Sequence, residues 1–316
     1  MNPITLAFAN IKIKLMSVNI LKNIVSGTAD GCDHSAPHLP LAVEPLTSED
    51  QAEVLAFLSE RPAHTFGLIG LIRDNGLVSP KNRGSFYACR DWHGNIEGVA
   101  LIGYNTLLEA RSDDSIQAFA HVARTCTKIF LILGEEEVVR KFWHHYAGPE
   151  HKAAEGENYV LLKQSWPIEV REPVPELRLA TLDDLELVVR SHALSGIEET
   201  GVDGREQDPS GFPQRCAQRV ENGHTWVWIE NGKLIFKVEV LTDTPEVVYL
   251  ESMWIDPGER SKGYALRCMA QLGKELLSRA SAICLLVQKK NVVAQAVYKK
   301  AGYKAIGSYQ AIFLGN

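Results

Sequence analysis

A short turn near the C-terminus of the chain has the residue types of an anion-binding site. The apolar run Tyr249–Ile255 predicts a strand, and the periodic run Leu266–Leu277 predicts a helix. Between them, Gly263 lets the backbone approach an anion closely, and a helix N-terminus favours negative charge. Two basic side chains add positive charge. The sequence therefore predicts a diphosphate cradle made by six consecutive residues: Arg260, Ser261, Lys262, Gly263, Tyr264 and Ala265.

This turn and a second motif downstream resemble the GNAT acetyltransferase superfamily. The turn is similar to the family's acyl-CoA-binding motif, Arg/Gln-x-x-Gly-x-Gly/Ala, with Ala265 in the last position. The run Asn291–Tyr303 is similar to the family's Asn-x-x-Ala-x-x-x-Tyr-x-x-x-Gly-Phe/Tyr helix. The two motifs occur in the family's order and spacing. The resemblance implies an α/β fold, a mixed and mostly antiparallel sheet flanked by helices, with acetyl-CoA as the acyl donor.

The resemblance also implies roles for individual residues. Acyl transfer to an amine needs a base, because a protonated ammonium has no lone pair with which to attack. Glu251 lies on the strand where family members often carry that base, and Tyr298 takes the position of their general acid. The alternative for Glu251 is a structural carboxylate paired with a cation, and the alternative for Tyr298 is an aromatic ring packed in the core. Further contacts to the pantetheine arm are implied for Trp254, Ile255 and Asn291.

The two halves of the chain share a weak, ordered pattern that indicates an internal duplication, although coincidence between short apolar patterns is the alternative. The run Val138–Gly148 has the same layout as Val292–Gly302. Where the second copy has its glycine turn, the first has Arg111–Ser115, with no glycine and two acids that repel a diphosphate. Tandem GNAT proteins have this general layout. We therefore expect a degenerate N-terminal copy without a CoA site.

These patterns divide the chain into four parts. Residues 1–40 are expected to be an extension, disordered or preceding the true start. Residues 41–165 form the degenerate GNAT-like domain, residues 166–175 a proline-containing linker, and residues 176–316 the catalytic GNAT domain. Asn291 is expected to cap the helix that carries Tyr298.

Composition limits the partners and the compartment. The 316 residues carry a formal net charge of −6, which gives no basic field for nucleic acid. No apolar stretch reaches the roughly 20 residues that span a membrane. The six cysteines include no C-x-x-C pair, which suits the cytoplasm, and no His or Cys spacing predicts a metal site. The composition is compatible with a homo-oligomer as well as with a monomer.

Two functions agree with these features. The first is an acetyl-CoA-dependent N-acetyltransferase that transfers an acyl group from CoA to a primary amine by direct attack. The second is a catalytically silent acyl-CoA-binding regulatory or interaction module. The acceptor would be a small-molecule or peptide amine. The expected loop Gly196–Phe212 carries five acids and one arginine, which indicates either a cationic acceptor or a solvated acidic loop.

Overall fold

The computed structural model describes residues 41–126, 129–147, 156–200 and 203–314. The expected extension, residues 1–40, lies outside them. The described N-terminal half contains, in chain order, β1 (Ala42–Pro45), α1 (Gln51–Leu58), α2 (Pro62–Asn75), β2 (Gly84–Arg90), β3 (Ile96–Gly103), β4 (Asn105–Ala110), α3 (Asp113–Arg124), β5 (Leu131–Glu135), α4 (Glu136–Ala147) and β6 (Gly156–Gln164).

The C-terminal half repeats this order of elements with one additional short helix. It contains β7 (Leu177–Leu179), α5 (Leu185–Thr200), α6 (Gly204–Gln207), α7 (Gly211–Glu221), β8 (Thr225–Glu230), β9 (Lys233–Asp243), β10 (Val248–Ile255), α8 (Tyr264–Leu276), β11 (Ile283–Gln288), α9 (Val292–Lys300) and β12 (Lys304–Phe313). The strand predicted at Tyr249–Ile255 and the helix predicted at Leu266–Leu277 are confirmed, with bounds that differ by at most two residues.

All twelve strands form one open sheet in the order β1-β2-β3-β4-β5-β12-β6-β11-β10-β9-β8-β7. The order is pseudo-symmetric. Strands β1–β5 of the N-terminal half lie on one side of the central pair β12 and β6, and strands β7–β11 of the C-terminal half lie on the other side. Among the strands that the structure describes, only β4 with β5 and β10 with β11 run parallel, and the remaining neighbours are antiparallel. The predicted fold class, a mixed and mostly antiparallel sheet flanked by helices in two tandem copies, is confirmed.

The central pair consists of strands exchanged between the halves. Strand β12, from the end of the chain, pairs with β5 of the N-terminal half, as in Ile312 opposite Ile132. Strand β6 pairs with β11 of the C-terminal half, as in Leu162 opposite Leu285. Each half thus completes its sheet with a strand of the other. The predicted domain boundaries at residues 165 and 176 stay a prediction.

Side chains on β10 alternate between two layers, because successive strand residues face opposite sides of a sheet. Val248 and Leu250 pack in the core that includes Cys268 and Met269 of α8. Tyr249 belongs instead to the core that includes Phe66 of α2, which is built from both halves. The face of β10 that carries Tyr249 is therefore turned toward α2 and α5, while α8 and α9 cover the other face.

Candidate active site

The pairing between strands β10 and β11 ends part-way along both strands. In the described structure they pair only from Val248 with Ile283 to Leu250 with Leu285. On its other side β10 stays paired with β9, but the register shifts between Glu251 and Trp254 and Ser252 has a φ of +50°. This irregularity is a β-bulge, which bends the strand and increases its twist. We call the gap between Glu251–Ile255 and Leu286–Gln288 the slot.

The predicted cradle lies directly after the slot. Gly263 is the N-cap of α8 with a φ of +81°, and Ser261 has a φ of +64°. A Cβ added at Gly263 would meet no described atom within 4 Å, so the space before this backbone is open. The first amides of a helix have no intrahelical partner. Together, the open approach and the amides at the start of α8 fit a diphosphate.

The two basic side chains of the cradle are present but already engaged. The guanidinium of Arg260 donates two hydrogen bonds of 2.7 and 2.9 Å to the carboxylate of Glu198. The ammonium of Lys262 lies 2.7 Å from the carboxylate of Glu259. These side chains are exposed or near the surface, where ion pairs contribute little stability. A diphosphate entering the cradle therefore competes with two weak carboxylate partners.

Glu251 lies at the start of the slot and is nearly buried. Burial raises the pKa of its carboxyl, and the guanidinium of Arg219 opposes that rise. Nη2 of Arg219 lies 3.0 Å from Oε1 of Glu251. A carboxyl with a raised pKa suits a general base that must take and release a proton near neutral pH. The cation that the structural alternative expects is also present, so the geometry supports both interpretations.

Arg219 belongs to a buried charged cluster that sequence reasoning missed. It also pairs with Glu239, whose Oε1 lies 2.7 Å from Nζ of Lys237 and 3.0 Å from Nδ1 of His192. All four side chains are buried. Burial, followed by the charge of Lys237, lowers the pKa of His192 well below its ordinary value, so the imidazole is neutral. Arg219 and Lys237 therefore share Glu239 as a partner, and Arg219 also contacts Glu251.

A signal for this cluster exists in the sequence. Lys237 and Glu239 alternate with apolar residues inside a strand that is otherwise hydrophobic. Buried charges of that kind are rarely found without partners. The partners themselves lie on α5 and α7, and no spacing in the sequence reveals which helical residues face this strand.

Glu251 and Tyr298 share a third residue, Tyr249, as an electrostatic neighbour. Both act electrostatically on Tyr249, and after burial they help to raise the pKa of its phenol well above the ordinary value. The phenol oxygen of Tyr249 accepts a hydrogen bond of 3.1 Å from the amide of Leu286. Tyr298 is 7% exposed and its ring lies edge-on to Tyr303, so the packing expected by its alternative interpretation is present too.

The remaining predicted contacts lie along the slot. Trp254 and Ile255 pair with Lys237 and Phe236 of β9, which leaves their other backbone edge toward the slot. The side chain of Asn291 accepts a hydrogen bond of 3.0 Å from the amide of Ala294. Its prediction as the helix N-cap is confirmed. The contacts of all three residues to pantetheine stay predictions.

The expected acidic loop is partly helical, which corrects the sequence interpretation. Helix α5 continues to Thr200, and Gly204–Gln207 forms α6 before α7 begins at Gly211. Three of the five acids have arginine partners: Glu198 pairs with Arg260, Asp203 with Arg205, and Asp208 with Arg215. Much of the negative charge expected to attract a cationic acceptor is therefore neutralised within the chain.

The equivalent position in the N-terminal half is built differently. Strand β4 keeps a regular register with β3 from Leu107 to Ala110, without the bulge of β10. Ser112 caps α3 by accepting a hydrogen bond of 3.2 Å from the amide of Ser115. Glu109, which matches Glu251 across the sheet, is buried and bonds to Arg61 at 2.8 Å. These features agree with a copy that lacks the cradle.

The described residues contain no cluster of His, Cys, Asp or Glu side chains arranged to hold a metal ion. Among the helices that the structure describes, none combines the length and the apolar character needed to cross a bilayer.

Comparison with known proteins links this geometry to a family. Residues 193–303 match the family described as Acetyltransferase (GNAT) family. A GNAT-family acetyltransferase from Colwellia psychrerythraea is similar in structure, with 13% identity, a TM-score of 0.57, and coverage of 86% of this chain and 100% of that one. A comparison with curated proteins finds no match.

Two further solved structures are similar over most of the chain. A tandem GNAT protein from the clavulanic acid biosynthesis pathway has 11% identity and a TM-score of 0.55, with 87% of this chain and 99% of that chain covered. A GCN5-related N-acetyltransferase from Sphaerobacter thermophilus has 11% identity and a TM-score of 0.53, with coverage of 88% and 96%. At such identities the likeness shows the fold. The chain therefore carries a domain of the GNAT acetyltransferase family, matched at residues 193–303, within a tandem GNAT-like fold.

Proposed function

We propose that the protein is an acetyl-CoA-dependent N-acetyltransferase whose active site lies in the C-terminal half. The observation that carries the proposal is the junction of three features on one strand. An open slot, a glycine cradle at the start of a helix, and a nearly buried carboxyl with a raised pKa all adjoin β10. A diphosphate, an extended arm and an amine to be deprotonated need these three features side by side.

The donor would be held mainly by backbone groups. The amides at the start of α8, with Arg260, Ser261, Lys262, Gly263, Tyr264 and Ala265, would receive the diphosphate. The edge of β10 at Trp254 and Ile255 that faces away from β9 would bond the amides of the pantetheine arm as an added strand does, with Asn291 on the opposite side. The carbonyl of Ile255 now accepts a hydrogen bond of 3.2 Å from Arg260, which the arm would replace. CoA supplies the activated thioester, and the chain's own groups move the protons.

Glu251 would take the proton from the attacking amine, directly or through water, so that the nitrogen lone pair forms the new N–C bond. Tyr298 would give its phenolic proton to the sulfur as the C–S bond breaks. The proton that Glu251 gains and the one that Tyr298 loses balance over one turnover, because solvent exchange restores both groups. When Glu251 takes up this proton, the buried cluster loses a negative charge. The positive charges of Arg219 and Lys237 then favour the return of the proton from Glu251 to solvent.

We propose a small-molecule or peptide amine as the acceptor and expect neither nucleic acid nor a membrane surface as a partner. The net charge of −6 disfavours polyanionic partners. The cysteines in the described part of the chain are free, and four of them are buried, which supports a reducing compartment such as the cytoplasm.

A second candidate, an acyl-CoA-binding module without turnover, is favoured by one contact. The ion pair between Arg219 and Glu251 gives the carboxylate a structural partner. The test is to incubate the full chain with isotope-labelled acetyl-CoA and a panel of primary amines, and to measure product mass and CoA release. An enzyme gives labelled amide and acceptor-dependent CoA release, both reduced in Glu251→Gln. Binding of acetyl-CoA without acceptor-dependent release across the panel would favour the silent module.

A further inference from the structure

The narrow end of the slot is closed by a side chain rather than by backbone. The last residue pair between β10 and β11 is Leu250 with Leu285. The next amide of β11, that of Leu286, donates its hydrogen bond of 3.1 Å to the phenol of Tyr249. A phenol that reaches this amide occupies the space in which the two strands begin to separate. Tyr249 therefore forms the end wall of the slot.

This wall is held firmly in place. Tyr249 is 5% exposed, and its ring stacks on Phe66 with the centroids 3.7 Å apart and the planes within 5°. Phe66 is buried in the core that both halves share. Phe66 also lines a partly open cavity of about 30 Å³ with His64 and Tyr309.

The wall also lies next to the reacting groups of the proposed function. Tyr249 lies two residues before Glu251 on β10, where alternation places both side chains on one face of the strand, and Tyr298 also acts electrostatically on its phenol. During acyl transfer the carbonyl carbon has the amine on the side of the base and the sulfur on the side of the acid. The alkyl part of the acyl group is the third carbon-bound substituent of that carbonyl. With the other two sides taken by the amine and the sulfur, we place the alkyl part at the end of the slot.

We propose that Tyr249, backed by Phe66 of the N-terminal half, limits the acyl group to short chains, with acetyl accepted and butyryl or longer chains excluded. The inference rests on the proposed function and adds a specificity role for Tyr249. It also gives the N-terminal half a part in the active site, because Phe66 lies on α2.

The test compares acetyl-, propionyl-, butyryl- and hexanoyl-CoA on the full-length protein, by kcat/KM with one amine and by calorimetric Kd. The wild type should prefer acetyl to butyryl by at least about tenfold, the scale on which a pocket separates homologues. Tyr249→Leu should reduce the preference to a fewfold or less, whereas Tyr249→Phe should keep it because the ring remains. Phe119→Leu is the matched control, a buried ring in a separate core of the N-terminal half, and should also keep it.

Phe66→Leu provides a second route if Tyr249→Leu does not fold, because it removes the stacked support and should relax the same preference. A wild type that uses butyryl as well as acetyl would overturn the proposal, and so would a Tyr249→Leu or Phe66→Leu variant with the wild-type ratio. The binding data keep this proposal distinct from the proposed enzyme activity. If no turnover occurs but Kd still depends on acyl chain length, the role of Tyr249 is supported and only the activity fails. Equal Kd values for all four donors would overturn the role of Tyr249.

Discussion

The ionisation of Glu251 should depend on Arg219, and this dependence can be measured. Replacing Arg219 by methionine keeps much of the apolar stem and removes the guanidinium that lies 3.0 Å from Glu251. Burial raises the pKa of Glu251 and Arg219 opposes that rise, so the replacement raises the pKa further. The base is active when ionised. The acidic limb of the kcat/KM profile should therefore move to higher pH.

The size of the shift follows from the distance. Two unit charges 3.0 Å apart interact by about 5.5 kcal/mol at an effective dielectric constant of ~20, which is an upper limit. Arg219 divides its charge between Glu251 and Glu239, and Lys237 remains in the cluster. A third to a half of the limit, about 1.8–2.7 kcal/mol, corresponds to a rise of roughly 1.3–2 pH units. Losing one partner of a buried pair also costs about 3–5 kcal/mol of stability.

The assay is the pH dependence of kcat/KM, with folding checked by circular dichroism at each pH. Arg215→Met is the matched control, because Arg215 lies one turn earlier on the same helix, is buried, and pairs with Asp208 at 2.5 Å. Arg215→Met should leave the acidic limb of the kcat/KM profile at the pH of the wild type. Arg219→Lys keeps a cation and should give a smaller shift. A limb unmoved in folded Arg219→Met would refute the reasoning.

Three further outcomes are expected. Glu251→Gln should lower kcat by about 10²–10⁴ without weakening acetyl-CoA binding, as loss of a general base does, and an unchanged kcat would exclude that role. Tyr298→Phe should reduce turnover while the melting temperature changes little, since the packed ring is kept; full activity would leave Tyr298 only its packing role. Because burial holds the pKa of His192 well below 6.5, its contribution to stability should fall as pH drops below that value, and His192→Gln should reduce this loss of stability in urea unfolding.

Local pattern predicted the elements of the fold well. The strand predicted at Tyr249–Ile255 begins one residue earlier than expected, and the helix after Asn291 begins where the cap predicts. The cradle was predictable because its chemistry is local: glycine at a positive φ and the helix that follows are consecutive in the chain. The tandem arrangement was visible in the matching runs of the two halves.

The exchange of β6 and β12 could not be read from the sequence. A swapped strand has the same alternation of residues as an unswapped one, and only the tertiary structure decides its neighbours. The same limit applies to the active site. The sequence does not show that Arg219 of α7 meets Glu251, or that Phe66 meets Tyr249 from the other half, since both contacts depend on how helices pack across the sheet.

The exchanged strands also decide how the central claim should be tested. Separately expressed halves would each lack a strand of their sheet, so the full chain must be used. The direct measurement is calorimetric titration of the full chain with acetyl-CoA, for the wild type, Gly263→Val and a control, Gly94→Val. Both glycines have positive φ, +81° and +89°, and open space at the Cβ position, so the backbone cost of substitution should be similar.

Only Gly263 lies at the proposed diphosphate site, where an added side chain blocks close approach to the backbone. We predict one binding site per chain in the wild type, retained in Gly94→Val and weakened at least tenfold in Gly263→Val. Two equivalent sites per chain, or a Gly263→Val variant with the affinity of the wild type, would contradict an active site confined to the C-terminal cradle.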